Sequence, residues 1–458
     1  MSLRKIIIRS ALLLLLLLII VGIRYAWRGF PIISGYGSKN LASGVYLQHR
    51  NTTDVIKEDL AGYPLFLGTY SVNEKDSSVT GSVWGFAKRK TIYRPGLGCT
   101  IINDFSEAEI RAQLFELAPR PDISADILPW PYGDKLTDSV PAAINKVLLE
   151  QAINNAMQAT SKGKPSSTRS VLVIYDGKIV GEQYAPGFNK NTLMLGWSMS
   201  KTLTAAMIGV LVKDGKLNVD APAPVPEWKN TDKGKITIKQ LLQQTSGIDF
   251  NEDYANPSEV TNMLFKYGDM AAFTATLPLL HKPGTIFNYS SGNANLLSRI
   301  IRQTVGERDY AAFPNSSLFY KINIYSMILE PDASGTYIGS SYSYATTRDF
   351  ARFGLFYYNN GVWNGQQILP LKWVQESAQP SAADKQKHYG YQCWLNGFSE
   401  DLTSRLYPDV PPDMFFADGY GGQGVFIIPS KKLVVVRFGL HPLNENQFLK
   451  EVIQSIKE

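Results

Sequence analysis

The chain has 458 residues, 44% hydrophobic and 19% charged, an ordinary globular balance but long for one compact core. Lys and Arg outnumber Asp and Glu by 46 to 40, yet residues 1–30 hold five of those cations (Arg4, Lys5, Arg9, Arg24, Arg28) and no acid. The remainder is therefore close to neutral and offers no basic field to a nucleic acid. Two cysteines, Cys99 and Cys393, exclude a disulfide framework and a cysteine-built zinc site; they allow one bridge and read as unrelated buried thiols.

Ala11–Ile23 is an unbroken apolar run that extends back to Ile6 if Arg9 snorkels toward the head groups. Its length lies between a signal-peptide core and a spanning helix of about 20 residues. No small-x-small cleavage pattern follows, because Arg24, Tyr25, Trp27 and Arg28 are bulky, and Tyr25 and Trp27 suit a membrane interface. The segment is expected to be an uncleaved inner-membrane anchor. Three cations precede it and two follow, which places the C-terminal bulk in the periplasm. Residues 31–118 mix Gly, Tyr and short apolar runs and predict short strands and loops rather than long helices. Prolines 119, 121, 129 and 131 then mark a connection. The expected division is an anchor or signal segment over 1–30, an accessory region and linker over 31–130, and a catalytic domain over 131–458.

Beyond the connection, apolar residues at helical spacing (Ile144, Val147, Leu148, Ala152, Ile153, Met157) predict an amphipathic helix over 141–159, with Asp138 or Ser139 near its cap. Two β-branched runs, 170–175 and 178–184, flank Asp176-Gly177 and predict a hairpin. A second hairpin is predicted from 424–428 and 433–438 around Pro429. Between them, Trp197-Ser198-Met199-Ser200-Lys201 opens a predicted helix through Val212, with Ser198 and Lys201 on one face. A partly desolvated ammonium gives up its proton more readily, and the neutral amine can take the hydroxyl proton as serine attacks a carbonyl. The Ser198 backbone N–H, at a helix start, suits a developing oxyanion.

Six segments occur in order: the hairpin before the serine, Ser198-Met199-Ser200-Lys201, Lys213-Asp214-Gly215-Lys216-Leu217, Ile238–Ile248 with Thr245-Ser246-Gly247, Pro283-Gly284 before Tyr289, and Gly419-Tyr420-Gly421-Gly422. In these the chain resembles the serine β-lactamase superfamily over about residues 140–445, in particular the branch of class C β-lactamases, esterases and 6-aminohexanoate-dimer hydrolases. The resemblance implies an α/β (α+β) fold, β-lactamase/transpeptidase-like, with an antiparallel sheet flanked by helices and an all-helical subdomain. It implies that Ser198 is acylated, that Lys201 activates it, and that Tyr289 passes protons. Phe287-Asn288-Tyr289-Ser290-Ser291-Gly292-Asn293 stands where the family has Tyr-x-Asn, so Ser291 and Asn293 are candidate substrate-binding residues. Ser291 replaces the family's asparagine. Tyr420-Gly421-Gly422 stands where the family has Lys-Thr-Gly; these three residues would line the substrate site, and the backbone N–H of Gln423 would be the second oxyanion donor.

Tyrosine in place of that lysine removes the cation that would hold a substrate carboxylate. The expected activity is therefore hydrolysis of a small amide or ester, with β-lactamase or D-alanyl-D-alanine carboxypeptidase chemistry as the alternative and a non-catalytic cell-wall-fragment binder as a third reading. Asn295 is expected to orient the Tyr289 loop, and Ser340-Ser341-Tyr342 to border the cleft. His49, His281, His388 and His441 are far apart and read as surface or packing residues, so no metal is expected, nor any organic cofactor. Gly196-Trp197-Ser198-Met199-Ser200 is not a Gly-x-Ser-x-Gly elbow. The partners expected are the small substrate and the membrane.

Overall fold

The computed structural model describes residues 3–136, 139–161 and 163–457. Its contacts divide the chain into two compact units, Met1–Arg111 with Asn251–Gly268, and Ala112–Phe250 with Asp269–Glu458.

In the first unit a single helix α1 runs over Leu3–Tyr46. Its apolar side chains from Leu3 to Ile23 are exposed, a stretch of about 31 Å at helical rise against a hydrocarbon core of about 30 Å. By length and composition it is the one helix among the described residues that could cross a membrane. From Ile33 to Gly44 most residues are buried. The loops and short strands expected from residue 31 thus begin only after residue 46. Gly35, Gly37 and Gly44 explain the difference: Phe265, Tyr70 and Val55 occupy the space where a Cβ would project, and Gly81 likewise meets the Ser34 carbonyl. These glycines let a helix lie against a sheet. After α2 (Thr52–Asp59), capped by Asn51, come β1 (Gly68–Asn73), β2 (Ser78–Val83), β3 (Phe86–Arg94) and β4 (Gly98–Ile101) in an antiparallel meander. Leu41, Ala42, Val55, Leu60, Val79 and the free thiol Cys99 form the core. The helix Glu259–Lys266 completes the unit, its Phe265 ring 5.5 Å from that of Tyr36. The turn before it bonds to itself: Tyr254 donates to Glu252, and Asp253 accepts from the Ala255 amide and from Asn256.

The second unit contains, in chain order, α3 (Lys146–Gln158), β5 (Thr168–Tyr175), β6 (Lys178–Tyr184), α4 (Met199–Lys213), α5 (Ser291–Val305), α6 (Thr347–Tyr358), β7 (Trp394–Leu395), β8 (Phe415–Gly419), β9 (Gln423–Ile428), β10 (Leu433–Gly439) and α7 (Glu445–Gln454). The strands form one antiparallel sheet in the order β7-β8-β9-β10-β5-β6. Both predicted hairpins are present. Asp176 and Gly177 have φ of 47° and 81°, the two left-handed residues a type I′ turn requires. Leu149, Ile153, Phe448 and Leu449 from α3 and α7 pack on Val171, Val173, Phe426 and Val435, each fully buried aliphatic or aromatic side chain contributing about 1.5–3 kcal/mol. On α6, Gly354 faces Val425 and Val434. The cap of α3 is Asn145, which accepts from the Leu148 amide, and not Ser139; Asp138 lies outside the described residues. Val147 and Leu148, expected on the buried face, are exposed. The helices α4 and α5 pack together, and their first turns hold the site.

Candidate active site

Strand pairing sets the nucleophile. Leu193–Leu195 pairs with Ser343–Thr346, and the Gly196 amide donates to the Ser343 carbonyl at 2.8 Å. Trp197 then takes a left-handed conformation, φ 46°, which costs a non-glycine residue about 1 kcal/mol or more. Ser200 Oγ stabilises that turn by donating to the Trp197 carbonyl at 2.7 Å, and it shares a hydrogen bond of 2.7 Å with Ser343 Oγ. Ser198 is the N-cap of α4, and among the described residues its N–H makes no hydrogen bond. That N–H is therefore available to an oxyanion.

Lys201 is 1% exposed, and its Nζ donates to Ser198 Oγ at 2.9 Å, Ser291 Oγ at 3.0 Å and the Ser340 carbonyl at 3.1 Å. The same Nζ lies 4.9 Å from the centroid of the Tyr289 ring, a cation–π contact. Tyr289 is wedged between Trp394 and Tyr389, with ring centroids 5.2 and 5.6 Å away. The fold thus brings Ser198, Lys201, Tyr289 and Ser291 together. Asn295 donates to Ser340 Oγ at 3.2 Å, so its contact is with the Ser340 segment.

Two glutamines that the motifs did not single out hold this arrangement. Gln244 Nε2 donates to the Ser290 carbonyl and to Gln392 Oε1, while Gln244 Oε1 accepts from the Ser290 amide and from Asn293 Nδ2 at 2.7 Å. Gln392 donates to the Leu241 and Leu242 carbonyls, and its own carbonyl accepts from Thr202 on α4. Both glutamines are left-handed, φ 58° and 53°. Asn293 is thereby tied into the loop support. No local spacing marks these residues, because a glutamine acquires this role only from what surrounds it.

Across the site, Tyr420 is 57% exposed with its ring edge-on to Trp197 at 5.8 Å. Gly421 and Gly422 have φ of 83° and 78°, and both carbonyls accept from Arg437 Nη1 at 2.9 Å. Arg437 is 1% exposed, and burial lowers its pKa to about 10. Gln423 stands opposite Gly419 in the ladder, and its side chain bonds to Gly439 and to the Tyr420 carbonyl. Tyr420, Gly421 and Gly422 line a cavity of about 340 Å³ together with Asp418, His441 and Glu445. Burial raises both carboxyls: the Glu445 charge raises Asp418 further while Lys201 pulls it down, and a hydrogen bond from Tyr407 and the charge of Arg437 pull Glu445 down. His388 donates or accepts at Nδ1 with Asp384, 2.8 Å away, and packs on Phe287, a structural role. Among the described residues no group of three His, Cys, Asp or Glu is arranged to hold a metal, and Cys393 is a free buried thiol.

The family model for Beta-lactamase matches residues 153–439, well over half of the chain. The chain belongs to the Beta-lactamase family. A relative in this family, the 6-aminohexanoate-dimer hydrolase of Paenarthrobacter ureafaciens, is 26% identical over 297 residues, 60% of this chain and 73% of that protein. Among solved structures, a family VIII carboxylesterase is similar with a TM-score of 0.51 and 16% identity over 70% of this chain and 99% of its own. A penicillin-binding protein homologue from Caulobacter crescentus gives 0.52 and 14% over 71% and 98%. At these identities the structures show the fold alone, the β-lactamase/transpeptidase-like architecture implied by the motifs. The chain is a β-lactamase-fold hydrolase related to 6-aminohexanoate-dimer hydrolase.

Proposed function

We propose that this Beta-lactamase-family chain is a serine hydrolase that cleaves a small amide or ester through an acyl-enzyme on Ser198. The observation that carries the reading is Lys201 Nζ, buried and 2.9 Å from Ser198 Oγ. In its neutral form the amine takes the hydroxyl proton as Oγ attacks the carbonyl carbon. The tetrahedral oxyanion is received by the N–H of Ser198, with that of Gln423 as the second donor. Lys201 and Tyr289 return the proton to the departing amine or alcohol; Ser291 Oγ, 3.0 Å from Lys201, is a further hydroxyl on that relay. Water then repeats the sequence on the acyl carbonyl and frees the acid.

Tyr420 supports an amide or ester over a β-lactam or a D-alanyl peptide. Both of those carry a carboxylate, and here a tyrosine stands where the family's lysine would receive it. The exposed apolar run Ala11–Ile23 of α1, with Arg4, Lys5 and Arg9 before it, supports an inner-membrane anchor with the catalytic unit in the periplasm. The test is incubation of the protein with a fluorophosphonate and, separately, a fluorescent penicillin, with the adduct located by mass spectrometry beside Ser198→Ala. Fluorophosphonate on Ser198 with little penicillin adduct is expected. Strong penicillin labelling would turn the reading toward cell-wall chemistry, and no adduct in folded protein would abandon the nucleophile.

A further inference from the structure

The hairpin between β2 and β3 turns through Trp84 and Gly85, with φ of 50° and 82°. A tryptophan in the left-handed position is a poor choice for the turn itself, where asparagine or glycine fits without strain. It is not there for a core either: Trp84 is 66% exposed and Phe86 55%. The two rings lie beside α1, Trp84 5.4 Å from Phe30 and Phe86 6.0 Å from Trp27, which is itself 59% exposed. Two elements distant in sequence thus build one exposed aromatic cluster, and large exposed apolar clusters mark interaction surfaces.

Its position along α1 points to the partner. The exposed apolar stretch ends at Ile23, and Trp27 and Phe30 lie four to seven residues further, about 6–10 Å along the axis. A bilayer's polar layer begins where its hydrocarbon ends and is roughly 5–8 Å deep, the level that tryptophan favours. The charge is consistent with this. Arg24 and Arg28 flank the cluster on α1 and Lys88 and Arg89 follow it on β3. Lys266 is held below its usual pKa by burial and then by Arg89 and Arg28, so these cations share one neighbourhood, with Asp104 near Arg89 as an acid.

We propose that the Trp84–Phe86 hairpin tip is a second membrane contact, seated in the headgroup layer of the bilayer that α1 enters and favouring anionic phospholipid. A single helix leaves the unit it carries free to swivel about the helix axis. A second contact fixes which face of the N-terminal unit meets the lipid. The inference rests on the reading of α1 as a membrane anchor.

The full chain is reconstituted into phosphatidylcholine vesicles with and without 30% phosphatidylglycerol, carrying an environment-sensitive fluorophore on Trp84→Cys or, as control, Lys75→Cys. Lys75 sits in the β1–β2 turn at the other end of β2, about 20 Å away. The native thiols Cys99 and Cys393 are buried and stay unlabelled. The expected result is blue-shifted emission from position 84, quenched at least twofold by lipid spin-labelled near the head group and more strongly with phosphatidylglycerol, while position 75 is not quenched. Native tryptophan quenching by brominated lipid, smaller in unlabelled Trp84→Phe than in the parent, repeats the measurement without a label. Equal quenching at 84 and 75 in a chain that floats with the vesicles would overturn the tip contact alone. A chain that does not float would overturn the anchor reading and the contact with it.

Discussion

Gly419→Ala perturbs the site without touching a reacting group. A Cβ at 419 would lie inside 3.0 Å of the Gly196 carbonyl oxygen, two residues before the nucleophile, and Gly419 is not in the left-handed region, so the effect is one of space alone. The obstruction is backbone, which cannot swing aside as a side-chain end does. Ordinary contact is restored only when β8 and the Gly196–Ser198 turn separate by about 1 Å, at an overpacking cost of about 1–3 kcal/mol. In a unit of this size that lowers Tm by about 1–4 °C. A displacement of about 1 Å at the nucleophile costs about 100-fold in the chemical step. The variant is therefore expected to fold, to melt slightly lower, and to react with a fluorophosphonate about 100-fold more slowly. Gly62→Ala, where nothing lies within 4 Å of the new Cβ, is the control and should match the parent. Labelling of Gly419→Ala at the parental rate would refute the claim that this close approach sets the position of Ser198.

Gln244→Ala removes the partner of the Ser290 amide, the Ser290 carbonyl and Asn293 Nδ2, each buried group costing about 1–3 kcal/mol if left unpaired; labelling of Ser198 should fall at least tenfold while Ser198 stays in place, and an unchanged rate would show that the glutamine pair does not support the Tyr289 loop. Asp332 is buried and its carboxyl is raised to about 7 by desolvation, which outweighs donors from Met270, Ser334 and Thr336. Folded protein then keeps a proton that the unfolded chain releases above about pH 4, so this contribution to stability is present below that pH and is lost as pH rises through about 7. Between pH 5 and 8 the parent should lose on the order of 3 kcal/mol that Asp332→Asn does not lose, and identical slopes in denaturant melts would remove Asp332 as the source. Deleting residues 1–111 strips Gly35 and Tyr36 from Phe265, which with Val260, Met263 and Leu264 is at most 1% exposed; the fragment should bind a hydrophobic dye and aggregate, and a monodisperse fragment with the parental melt would show that Asn251–Gly268 needs no such cover.

What could be read in advance follows physical range. Asp176-Gly177 announces its hairpin because only a few residues tolerate two consecutive positive φ values, and Ser198 and Lys201 announce a shared face because three residues are nearly one helical turn. Tyr289 and Ser291 became legible through the order of segments shared with the family. Gly35, Gly37 and Gly44 misled, since glycine signals a loop unless a neighbour fills the space it leaves, and that neighbour is supplied by other elements, Phe265, Tyr70 and Val55, which the local sequence does not show. The same holds for Gln244, Gln392 and Arg437, whose side chains find partners up to 148, 151 and 271 residues away. The membership of Asn251–Gly268 in the N-terminal unit is likewise a long-range fact.

The central claim is that Ser198, activated by Lys201, is acylated. Intact-protein and peptide mass spectrometry of the full chain after fluorophosphonate treatment tests it most directly, with Ser198→Ala and Lys201→Ala alongside. The account predicts one adduct, on Ser198, absent in Ser198→Ala and formed about 100-fold or more slowly in Lys201→Ala. An adduct on another residue, or labelling of Ser198 at the same rate without Lys201, would contradict it.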